Sequence, residues 1–134
     1  MKLQKNTLLA LYSVLEFAGQ PARQFSTSEI ARRFDASAHH LAKVLGRLRR
    51  AGLVKAARGS GGGYRFSGNA KRVTMLDVIA LFERIGGSAP RRSSRGRELE
   101  HAVARVLGEI DETAKATYGS ITLDTMVKLI RSGR

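Results

Sequence analysis

The side chains of this sequence best suited to chemistry are cationic and clustered. Lys43, Arg47, Arg49 and Arg50 fall within eight positions. Arg58 and Arg65 bracket the run "RGSGGGYRF", in which Gly59, Gly61, Gly62 and Gly63 fill four of the five positions 59–63. Ammonium and guanidinium groups at this density suit the binding of phosphates rather than their transfer. A dinucleotide fingerprint needs a third glycine where Tyr64 stands, and a P-loop needs Gly-Lys-Ser/Thr where Tyr64 and Arg65 follow the glycines. Apolar strand-like residues flank the run directly, which argues against a linker. What remains is a tight hairpin tip, free of Cβ atoms, able to press against a duplex with Arg58 at its base.

Other chemistries find little support. The sequence holds no cysteine, so a disulfide, a thiolate metal site, a thiolate-held iron–sulfur cluster and a cysteine nucleophile are all excluded. His39 and His40 are adjacent, so on a helix they point about 100° apart and cannot share a metal without a third ligand. No nucleophile–base pair or carboxylate pair is recognisable. The expectation is therefore a non-enzyme with no metal and no cofactor.

Charge points the same way. Lys and Arg number 24 against 11 Asp and Glu, a net charge of +13 and a pI near 11.2. Residues 1–68 carry 12 basic and 3 acidic side chains, residues 69–134 carry 12 and 8. Such self-repulsion implies a polyanionic partner. No apolar run reaches the ~18–20 residues of a spanning helix and no signal peptide opens the chain, so a cytoplasmic protein away from the membrane is expected.

These groups must be positioned by regular elements. Leu8, Leu11, Leu15 and Ala18 predict a helix over Thr7–Ala18. Ser26 and Glu29 have capping-box spacing and open a short helix with Ile30, Ala31 and Phe34 on its buried face. "DAS" ends it, and "AHHLAKVLGRLRRAG" follows with an apolar stripe of Leu41, Val44, Leu45 and Leu48. That is helix-turn-helix spacing. "LVKAA" and "YRFS" predict the two strands of a hairpin, and the helix-turn-helix followed by a hairpin makes a winged helix. "TMLDVIALFERIGG" predicts a further helix capped by Thr74 and Asp77. "SAPRRSSRGR" predicts a basic flexible loop. A long helix over about Glu98–Tyr118 follows, then a short one over Leu123–Arg131. Leu99, Val103, Val106 and Ile110 repeat in 4-3-4 steps, the seam of a dimerisation helix, with packing on the first helix as the alternative.

The segment "STSEIARRFDASAHHLAKVLGRLRRAGLVKAARGSGGGYRF" resembles the Rrf-two family of bacterial winged-helix transcription regulators, whose core pattern reads "LxKLRKAGLVxSxRGxGGGY". The resemblance extends from the first helix into "ITLDTMVKLI". It implies a homodimer crossing at the long helix and binding an operator of imperfect two-fold symmetry. It also implies, in many members, a cluster held by three cysteines before that helix. Here the loop has none: Glu98 stands where the last cysteine falls, and His101 where some members place a histidine ligand. Cluster sensing is not expected. Ala42 replaces an acidic residue of some cluster-sensing members, so their operators do not transfer.

The expected architecture is mostly α with a small β-hairpin wing. It divides into a winged helix-turn-helix domain over 1–86, a basic loop over 87–97, and a dimerisation helix plus short helix over 98–134. The expected function is a homodimeric, sequence-specific regulator of transcription, acting as a repressor on double-stranded DNA and either answering to an unknown small-molecule or protein effector or having none. Ser37, His39, His40, Lys43, Arg47, Arg49, Arg50, Arg58, Gly59, Gly61, Gly62, Gly63, Tyr64 and Arg65 form the expected DNA-binding set. Residues alone leave two rivals open: a sequence-independent nucleic-acid binder, and a winged-helix module that binds another protein.

Overall fold

A computed structural model describes residues 2–58, 62–85 and 96–133. The order is α1 (Lys5–Gly19), α2 (Thr27–Arg33), α3 (Ala38–Arg50), β1 (Val54–Ala57), β2 (Gly63–Phe66), α4 (Met75–Ile79), α5 (Arg97–Ser120) and α6 (Leu123–Arg131). The fold is mostly helical with one antiparallel hairpin, as expected, and α6 has its expected bounds. Helix α1 is central and packs on α3, α4, α6 and β2. It therefore buries more than one stripe: Leu9, Ala10, Leu11, Val14, Phe17 and Ala18 are all in the core, while Leu8 and Leu15 are only half-buried.

Local chemistry sets the helix-turn-helix. Ser26 Oγ accepts from Glu29 N at 3.1 Å and the Glu29 carboxylate accepts from Ser26 N, completing the capping box that opens α2. Asp35, at φ 50°, turns the chain in the left-handed region that Asp tolerates. Ser37 Oγ then accepts from His40 N at 3.1 Å and starts α3. Leu41, Val44, Leu45 and Leu48 face the core, so the opposite side of α3 is left to solvent.

One element departs from the expected pattern. Helix α4 stops at Ile79, although apolar periodicity predicts helix through Gly87. Beyond it Leu81 N and Phe82 N donate to Val78 O and Ile79 O, the shorter i to i−3 pattern. The next residues are held from outside: Leu81 O accepts from Arg47 Nη1 at 2.8 Å, and the Glu83 carboxylate accepts from Gln4 N at 2.9 Å. Glu83 N still donates to Ile79 O at 2.9 Å, so one i to i−4 bond persists past the end of α4 beside these outside contacts. The sequence leaves open where α6 packs. After α5 the chain returns beside Val73–Met75, where Met75 N donates to Ile121 O and Leu123 N to Val73 O. This seats Leu123 and Val127 in the core that α1 organises.

Candidate nucleic-acid interface

Strand β1 follows α3 after only three residues, so the wing is tied to the second helix of the motif. The hairpin pairs Val54 with Phe66, Lys55 with Arg65, Ala56 with Tyr64 and Ala57 with Gly63. Val54 and Phe66 point into the core. Strand β2 has a second neighbour, because Phe25 N and Tyr64 N each donate to the other's carbonyl at 2.8 Å. This pairing explains one glycine. At Gly63, φ 149°, a Cβ would stand 2.3 Å from Phe25 O. The close approach it permits is thus to its own chain. Gly62, φ 64°, turns the tip, and its carbonyl accepts from Gln24 Nε2 at 3.2 Å. Gly59 and Gly61 lie outside the described residues.

The cations divide into engaged and free. His39, Lys43, Arg49, Arg50, Arg58 and Arg65 are exposed. Every ion pair among the described residues lies elsewhere: Arg23–Glu29, Arg33–Glu16, Arg105–Glu109, Lys115–Glu112 and Lys128–Asp124. No Asp or Glu occurs between Asp35 and Asp77, so the whole stretch from α3 to the wing lacks a carboxylate. Arg47 differs, since one Nη holds Leu81 O and its guanidinium lies 5.5 Å from the Phe82 ring centre. A shallow polar groove of about 390 Å³ runs past Asn6, Lys43, Gly46, Arg50 and Phe82. His40 is half-buried and lines another groove with Lys5, Tyr12 and Phe34 against α1, away from His39. Sequence reasoning missed Lys55, which is exposed and opposite Arg65; the strand register was the signal it lacked.

Helix α5 carries the other exposed feature. Leu99, Val103, Val106 and Ile110 are 74%, 58%, 55% and 53% exposed, and Leu107 joins them at 50%. The helix has no buried residue and packs on α4. Among the described residues nothing buries this seam against α1. Glu98 and His101 are exposed near the start of α5. With no cysteine in the sequence, and no cluster of three potential metal ligands among the described residues, this donor set does not fit an iron–sulfur cluster.

Comparison with known proteins agrees with this geometry. The family model described as "Rrf2: Iron-dependent Transcriptional regulator" matches residues 3–129. A protein of Rhodopseudomonas palustris named as an HTH-type transcriptional regulator, BadM, is 48% identical over 134 residues, spanning all of this chain and 86% of its own. Among solved structures, CymR, the global cysteine regulator of B. subtilis, superposes with a TM-score of 0.79 at 25% identity, covering 96% of this chain and 98% of its own. The IscR of T. potens gives 0.73 at 25% identity over 100% and 91%.

Proposed function

Because the chain belongs to the Rrf2 family of transcriptional regulators, the Rrf-two group that its sequence resembles, we propose that it is a homodimeric, sequence-specific DNA-binding repressor that works without an iron–sulfur cluster. Its relatives are regulators rather than enzymes. The observation that carries the reading is the carboxylate-free stretch in which His39, Lys43, Arg49 and Arg50 of α3 and Arg58 and Arg65 of the wing are exposed without an acidic partner. The N-terminal part of α3 reads base edges in the major groove through His39 and Lys43, while Ser37, Arg49, Arg50 and the wing residues Arg58 to Arg65 set the register on phosphates. Arg47 steadies the segment after α4 and keeps its remaining N–H groups for the backbone. The apolar face of α5 joins two copies, and the dimer's two heads meet two half-sites about one helical turn apart. Repression is steric, by occupation of promoter DNA. An effector acts by changing the spacing of the heads.

The test is selection of genomic fragments by the purified protein with excess competitor DNA at physiological salt. Enrichment of a partly palindromic site, abolished in Arg58→Ala, is expected. Uniform recovery that disappears with added salt would mean a sequence-independent binder. No recovery together with a co-purifying protein would mean an interaction module.

A further inference from the structure

We infer that Lys55 is a phosphate contact of the wing, forming with Arg65 a two-cation clamp that the free protein holds against repulsion and that DNA relieves. This rests on the DNA-binding reading above. Lys55 and Arg65 are direct cross-strand partners. Ser67 N donates to Leu53 O at 3.0 Å, and counting two residues inward makes Lys55 and Arg65 a hydrogen-bonded pair as well. Their side chains therefore rise from the same face, the one opposite Val54 and Phe66, and both are exposed. Like charges directly opposite one another weaken a hairpin, and lysine is a poor strand former. Neither Lys55 nor Arg65 forms an ion pair among the described residues, and residues 36–76 contain no carboxylate. The register cannot slip to separate them, since Val54 and Phe66 are anchored in the core and Gly63 is pinned against Phe25. The molecule thus presents two neighbouring exposed positive groups on one face of the wing, an arrangement that a polyanion completes.

The opposing explanation is edge protection. Strand β1 pairs only with β2, and a lysine on such an edge discourages strand-to-strand aggregation. Lys55→Thr separates the two. Its binding to a short duplex carrying the selected operator, and to a shuffled duplex, is titrated from about 50 to about 200 mM salt. The clamp requires equal loss on both duplexes and a salt slope shallower by about one. The melting temperature of the free variant at low salt should equal or exceed that of wild type, the difference closing as salt rises. Lys55→Arg keeps the wild-type slope. An unchanged slope in Lys55→Thr, with aggregation in its place, overturns the contact; a lower melting temperature at low salt overturns the stored repulsion. Wild-type protein that binds neither duplex sinks the DNA-binding reading itself, a result visible before any variant is made.

Discussion

Among the described wing glycines, Gly63 is the one with no room for a Cβ. Any Cβ there meets Phe25 O at 2.3 Å, and its φ of 149° is one that L-residues avoid. Gly63→Ala should therefore cost about 1–3 kcal/mol through strain, before any loss of the Phe25–Tyr64 pairing. Denaturant unfolding reads the stability, and a wing released from Phe25 should also weaken DNA binding. An alanine variant as stable as wild type would show that the wing relaxes without penalty. Arg58, one residue beyond β1, is exposed and makes no ion pair among the described residues, so Arg58→Ala should leave stability within about 0.5 kcal/mol while lowering DNA affinity. The two substitutions separate the wing's structural glycine from its exposed arginine.

At the scale of the element, α5 is the least self-sufficient part of the chain. Twenty-four residues make a rod of about 36 Å, and its apolar residues Leu99, Val103, Val106, Leu107 and Ile110 are half or more exposed. Each such side chain gains about 1.5–3 kcal/mol on full burial, and a two-fold interface counts each one twice. Val106→Asp should thus abolish self-association while leaving the fold intact, because Val106 touches none of the core. Sedimentation shows the mass, and the melting temperature serves as the folding control. A variant that still sediments as wild type would remove α5 from the interface. The same element logic explains α4. Its sequence is periodic enough for a longer helix, but the bonds shorten to i−3 at Leu81 and Phe82, and Arg47 takes the Leu81 carbonyl that a continuing helix would use.

Across the whole molecule, charge and apolar surface are segregated. The net +13 is concentrated in a stretch without acids, while six of the eleven acidic residues lie in α5 and α6. Binding to a duplex should show a steep inverse dependence on salt, close to 0.9 per phosphate neutralised, measured by titration at several salt concentrations. A shallow dependence would mean that the exposed cations of α3 and the wing do not reach phosphates. The two ends of the chain are also coupled. Arg131 Nη2 donates to Gly19 O at 2.7 Å and Val127 enters the core beside α1, so α6 supports the same body that carries the exposed cations of α3 and the wing.

Much of this was legible in the residues. The capping box of Ser26 and Glu29, the Ser37 turn, the apolar stripe of α3 and the glycine-tipped hairpin are local signals, because a cap, a helical face or a tight turn is specified within a few positions. The 4-3-4 seam of α5 was equally visible, and its exposure depended only on nothing covering it. Distance along the chain hid the rest. Only the folded chain brings Phe25 against Gly63, Arg47 against Leu81, α6 against α1, and Lys55 across from Arg65. Sequence determined which elements form and which faces are apolar or cationic, since those follow from short-range sterics and burial. Tertiary structure decided which cations are engaged and which glycine is indispensable, since both depend on neighbours that the order of residues does not name.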